Sequence, residues 1–237
     1  MARAAVPALG AGYLAALLAA DHFASFHEQL ALGALTWLVL AAALRRFPLE
    51  RRVQALGVVV FATIGEIVGS LVWGVYSYRL GNLPMFVPPA HGIVFLSGLA
   101  LRDVLQRHER ALVWAAGLAA ASWALLGLTV LPQRDVAGAL AVPILLVFLR
   151  RSRSRSIYAG VFLVVAALEL YGTAIGTWRW AAVVPGTGVP DGNPPSGAAA
   201  GYIWFDVMAL LVGPWLLRYA GRRRRSAPTP SGSATTS

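Results

Sequence analysis

Two glutamates, Glu66 and Glu169, lie inside long apolar runs, and each heads the same ordered set of residues. Glu66 is followed by Gly69-Ser70, Gly74, the pair Tyr76 and Tyr78, and then Pro88-Pro89 and His91. Glu169 is followed by Gly172-Thr173, Gly176, the pair Trp178 and Trp180, and then Pro194-Pro195 and Gly197. An arginine follows the first aromatic pair (Arg79) and splits the second (Arg179). An ionisable group at membrane depth is costly and is a functional residue by default. An apolar medium favours the proton-carrying form of a carboxyl, so each glutamate is a candidate general acid. Aromatic faces can stabilise a cation, and His91, Asn82 or Asn193 near an aqueous edge can position water. The catalytic candidates are therefore Glu66, Glu169, His91 and Asp206, the last lying within the final apolar run. The substrate-binding candidates are Tyr76, Tyr78, Arg79, Asn82, Trp178, Arg179, Trp180 and Asn193.

The neighbouring small residues read differently. Helical spacing puts Glu66, Gly69, Ser70 and Trp73 on one face. Gly65/Gly69 and Gly172/Gly176 are small-xxx-small pairs, which let helix backbones approach. Asp21, His22, His27 and Glu28 collect in the first loop, but the two histidines are five apart, so one straight helix does not face both to one ion. No metal and no cofactor is assigned. The chain has no cysteine, no phosphate-cradling Gly loop, no dinucleotide fingerprint and no nucleophile elbow.

What must position these groups follows from composition. Of 237 residues, 58% are hydrophobic and 13% charged, whereas soluble domains run near half apolar and about a quarter charged. A soluble nucleic-acid-binding module, a disordered chain and a disulfide scaffold are excluded. Eight apolar runs are present, roughly 5–20, 27–44, 53–75, 89–105, 111–131, 136–149, 157–175 and 197–217. A spanning helix needs about 20 apolar residues, so the shorter runs must borrow from their flanks or tilt. The expectation is an all-α, polytopic helical membrane protein with about eight transmembrane helices. The first run has some character of a signal peptide, but the repeat described next requires it as a mature helix.

The net charge of +10 comes from 20 basic residues, all arginine. Alternating eight spans puts 17 arginines on one side and only Arg79, Arg134 and Arg179 on the other. The positive-inside rule then makes both termini cytoplasmic, in a bacterial-type inner membrane. Because the two Glu-headed sets are preceded by Arg45-Arg46 and Arg150-Arg151, the chain reads as two parallel four-helix repeats, 1–110 and 111–221. Residues 222–237 read as a basic, disordered cytoplasmic tail.

The stretch from Glu66 to Pro88, E-x2-G-x4-G-x-Y-x-Y followed by Leu80-Gly81 and Val87-Pro88, resembles the membrane carotenoid hydratases of bacteria and archaea (the bisanhydrobacterioruberin hydratase-like family). The resemblance covers about a tenth of the chain. It departs from the family in lacking a Pro-Phe before Gly-x-Tyr and in carrying a second copy. It implies an intramembrane lyase, hydratase or isomerase acting on an isoprenoid or carotenoid by proton-initiated hydration, cyclisation or isomerisation. The residues alone equally admit a proton-coupled small-molecule transporter or a non-catalytic membrane assembly factor. Membrane lipid or an isoprenoid is the expected partner and nucleic acid is not. The oligomeric state is open.

Overall fold

A computed structural model describes residues 2–226. The long helices are α1 (Ala2–Phe23), α2 (Phe26–Leu44), α3 (Leu49–Glu66), α4 (Val87–Val104), α5 (Glu109–Thr129), α6 (Val136–Arg151), α7 (Arg155–Ala174) and α9 (Ile203–Ser226), with a short α8 (Ser196–Gly201) leading into α9. The all-α expectation holds, with one addition. The segments just beyond the apolar runs 53–75 and 157–175 contain strands β1 (Tyr76–Tyr78) and β2 (Trp178–Trp180), which pair antiparallel.

Local chemistry explains most boundaries. Ser25 caps α2 in a capping box with Glu28, so that glutamate is committed to helix initiation. Asp135 caps α6 through Gly138 N. Prolines occupy the first turn of α4, where a missing N–H costs nothing. The last helix continues through Arg222–Arg225 to Ser226, further than its apolar run, and the remainder of the basic tail lies outside the described residues.

Among the described residues, six segments are long and apolar enough to cross a membrane: Ala5–Phe23, Phe26–Leu44, Leu49–Trp73, Gln106–Thr129, Arg155–Ala174 and Ser196–Tyr219. Helices α4 and α6 are not among them. α6 has only 16 residues, and α4 carries His91, two prolines, Arg102 and Asp103. The reason α4 tolerates this is its position. It is buried almost throughout from Val87 to Ala100 and packs on α1, α2, α3 and α7. Its closest approach is to α7, where a Cβ on Gly160 would stand 2.5 Å from the carbonyl oxygen of Gly98. That backbone contact requires glycine on both helices. The outer faces of the bundle expose Leu9, Leu38, Val60, Trp114, Leu125, Leu140 and Leu211, a surface suited to lipid rather than water. The chain is therefore described as a multi-pass membrane protein.

One end of the bundle is tied together by polar contacts. Arg79 donates to the carbonyl oxygens of Asp21 and Ala24, and the Asp21 carboxylate accepts from Gln29 at 2.7 Å. His22 Nδ1 lies 2.6 Å from the carbonyl oxygen of Ile175. Asp135 accepts from the backbone N–H and the hydroxyl of Ser196. The β1–β2 ribbon sits at this same end.

Candidate functional site

The ribbon and the two glutamates form one construction. Register pairs Tyr76 with Trp180, Ser77 with Arg179 and Tyr78 with Trp178. Alternate residues of a strand share a face, so the four aromatic rings project together while Ser77 and Arg179 turn outward and are exposed. The rings touch across the strands, with centroids 4.6 Å apart for Tyr76–Trp180 and 6.2 Å for Tyr78–Trp178. Each pair of rings binds the carboxyl of its own sequence set. The Tyr76 and Tyr78 hydroxyls both donate to Glu66 Oε2, at 2.7 Å. The indole N–H groups of Trp178 and Trp180 both donate to Glu169 Oε2, at 2.9 and 3.2 Å.

The chain geometry that allows this is the same twice. Each helix ends at a glycine with positive φ, Gly74 at 76° and Gly176 at 79°, a conformation open to glycine without strain. Each strand then begins two residues later. Yet eight residues separate Glu66 from Gly74 and seven separate Glu169 from Gly176. The extra residue is absorbed by a π-helical stretch, Ile67–Trp73, whose wider turn holds one more residue. This corrects the expectation that 66, 69, 70 and 73 share one α-helical face. Gly69 and Trp73 do line the cavity with Glu66, whereas Ser70 turns its hydroxyl back to the Glu66 carbonyl oxygen. The small-xxx-small reading also changes. A Cβ on Gly69 would meet the Tyr76 ring at 2.9 Å, and one on Gly172 would collide with the Trp178 ring. These glycines seat an aromatic ring over a carboxyl. Gly65 keeps the packing role, since a Cβ there would stand 2.7 Å from the Phe205 ring of α9, and the closest backbone crossing is at Gly98 and Gly160.

Below the ribbon lies a cavity of about 480 Å³ lined by Glu66, Glu169, His91, Tyr76, Tyr78, Trp178 and Trp180 together with apolar residues of α1, α4, α7, α8 and α9. His91 Nε2 stands 3.0 Å from Glu66 Oε1. Its ring is held by Tyr202 and Phe205, with centroids at 5.2 and 6.1 Å. Glu66 thus has three partners spread over both oxygens. Glu169 has two, both on Oε2, and its Oε1 has no hydrogen-bond partner among the described residues. An indole N–H only donates, so a proton on Glu169 belongs on Oε1. Burial, and then the Glu66 charge, push the Tyr76 and Tyr78 hydroxyls above their ordinary range, so both remain donors.

The structure does not bring the other candidates into this cavity. Arg79 is held by Asp21 and Ala24, and Asn82 donates to Gln29 at 2.8 Å. Asn193 accepts from the Trp180 backbone N–H at 3.0 Å and supports the ribbon from outside. Arg179 is exposed. Asp206 is buried in α9, one turn beyond Tyr202, and does not line the cavity. Two groups went unnoticed in the sequence: Tyr202 and Phe205, which clamp His91, and Asp135, which approaches Asp191 where the latter lines the cavity wall. Asp135 carried a signal, since an Asp just before an apolar run is a helix cap. Tyr202 carried none, because aromatics are common in membrane helices.

No protein-family model, curated protein or solved structure matches the chain.

Proposed function

We propose that this protein is an intramembrane acid–base enzyme acting on an unsaturated isoprenoid-type lipid, by proton-initiated hydration, cyclisation or isomerisation. One observation carries the reading: two carboxyls and an imidazole meet in a single, largely apolar cavity walled by tyrosine and tryptophan rings. The asymmetry between the carboxyls supports a division of labour. Glu169, with Oε1 unengaged, is the acid, and its proton passes to an alkene carbon. The cation left on the neighbouring carbon faces the aromatic rings. The Glu66–His91 pair is the base. It takes a proton either from water as the new C–O bond forms, giving an alcohol, or from an adjacent carbon, restoring a double bond. In both cases one proton enters the substrate and one leaves, and the enzyme recovers its state by passing a proton from Glu66–His91 back to Glu169. The resemblance of the Glu66–Pro88 stretch to carotenoid hydratases points to the same substrate class.

The reading rests on eight crossings arranged as two parallel halves, with α4 and α6 crossing inside the bundle and the arginine-rich ends cytoplasmic. Matching Glu-Gly-aromatic sets paired about Ser77 and Arg179 support such a duplication. The test is lipid extraction from cells carrying the wild-type gene, a deletion, or Glu169→Gln. A prenyl or carotenoid species that differs by one water, or by double-bond position, is expected to disappear in the deletion and in Glu169→Gln. Unchanged isoprenoid profiles would remove the enzyme reading. A proton-coupled carrier is the second reading, favoured by each half bringing one carboxyl to a shared central cavity. Proton-driven solute uptake in proteoliposomes, with unchanged lipids, would select it.

A further inference from the structure

At the opposite end of the same helices lies a second recess, of about 320 Å³, and its chemistry is the reverse of the first. Arg51 comes from the first turn of α3, Arg102 from the last turn of α4, and Arg153, Ser154 and Ser156 from the approach to α7 and its first turn. Glu66 lies 17 residues beyond Leu49 along α3, about 25 Å at helical rise, so the two cavities are separate. The arginines that topology explains need only be solvated on the correct side. These three instead converge from three elements that are distant in sequence.

Their bonding is incomplete. Arg51 gives one N–H to Gln54 at 2.9 Å. Arg102 gives one to Asp103 at 2.8 Å. Arg153 has no partner among the described residues. Ser156 is 6% exposed, lines the recess, and its hydroxyl likewise has no partner among the described residues. Glu50 is the recess's one acidic residue, leaving the lining with excess positive charge. The N-termini of α3 and α7 both open here, and their unsatisfied N–H groups add partial positive charge.

We propose that this recess binds a phosphoryl group, either the phosphodiester of a membrane lipid headgroup or a free phosphate or diphosphate. Guanidinium forks match phosphoryl oxygens in geometry and charge, and the Ser156 hydroxyl at the recess wall supplies a short neutral donor. The site is independent of the acid–base chemistry in the other cavity. The full-length protein in detergent micelles would be titrated separately with phosphatidylglycerol and with inorganic diphosphate, reading bound ligand by native mass spectrometry. One tightly retained phosphoryl ligand is expected. Arg102→Gln/Arg153→Gln is expected to weaken it about tenfold or more, and Ser156→Ala less. Arg150→Gln/Arg151→Gln, at the same end but outside the recess, serves as control and should bind as wild type. Retention of phosphatidylglycerol alone identifies a headgroup; retention of diphosphate alone identifies a soluble ligand. Arg153→Lys keeps the charge and guards against misfolding, and should retain partial binding. The proposal is overturned if neither probe binds, or if the control pair loses as much as the recess pair.

Discussion

Glu66 and Glu169 share a fold environment and differ in what they have left to give. Each sits near the end of a long helix, under an aromatic pair that donates two hydrogen bonds to one oxygen. Glu66 also has His91 on its second oxygen, where the other set has Gly197. The tyrosine hydroxyls can pass a proton on, because an O–H both donates and accepts, while an indole N–H only donates. The Glu66 side is therefore a connected proton-accepting network, and the Glu169 side is a single carboxyl with one free oxygen. One backbone arrangement thus carries two different bonding patterns, and substitutions can separate them.

The largest expected difference is between the two carboxyls themselves. Under the proposed chemistry Glu169→Gln removes the proton delivered to the alkene and lowers turnover by about a hundredfold or more. The amide still accepts from both indoles, so expression and thermal stability should stay near wild type. Glu66→Gln should also abolish turnover, but it additionally forces an amide against His91 and two hydroxyls, so its melting temperature should fall. Equal stability losses in the two variants would break the asymmetry. Next in size is His91→Gln, which leaves Glu66 as a base without its imidazole. A loss of about tenfold or more in kcat is expected, with KM and the melting temperature little changed. A kcat that stays at the wild-type level, or one that falls only together with the melting temperature, would make His91 structural.

Removing single ring donors should give smaller, stability-level effects, and again unequal ones. Trp180→Phe leaves Glu169 with one hydrogen bond, whereas Tyr78→Phe leaves Glu66 with two. A buried polar group deprived of a partner costs about 1–3 kcal/mol. Trp180→Phe is therefore expected to lie at the upper end of that range and Tyr78→Phe at the lower, as read by thermal or denaturant unfolding in micelles.

The contrast also marks how much the sequence revealed. The paired glutamates, their glycines and the aromatic doublets were visible because each set is ordered along the chain. The lengths of the apolar runs likewise placed every long helix. That Tyr76 and Trp180 stack was not visible, because three-residue strands leave no hydrophobic pattern and pair across a hundred residues. The π-helical stretch is legible only by comparing the sets: one extra residue between Glu66 and Gly74 has to go somewhere. The Gly98–Gly160 crossing joins single glycines on two helices, whereas the sequence offered spaced pairs on one. Arg79 looked like a ligand-binding cation but neutralises Asp21, its carboxylate 3.9 Å away. That Arg51, Arg102 and Arg153 line one recess depends on how α3, α4 and the start of α7 converge, which no local pattern encodes.

A last difference lies at the turns where α1 meets α2 and α5 meets α6. The buried Asp21 has the Arg79 guanidinium and Gln29 for company. The buried Asp135 has no cation beside it among the described residues; it is bonded by Gly138 and Ser196 and faces a second carboxyl, Asp191, in the loop before α8. Burial, and then the Asp135 charge, raise Asp191 from an ordinary 3.8 to about 6. The folded protein therefore binds more protons at this site than the unfolded chain between those two values. Stability falls as pH rises through that window and is level above it, the opposite of an aspartate held by a cation. Unfolding midpoints measured from pH 4 to 7 should decline toward about 6 in the wild type, and Asp191→Asn should flatten that decline. The same substitution at Asp21 should instead lower stability at pH 7, because it removes the negative charge that Arg79 faces. If Asp191→Asn leaves the slope unchanged, the Asp135–Asp191 pair does not hold a proton there, and the difference between the two glutamate sets is confined to the cavity.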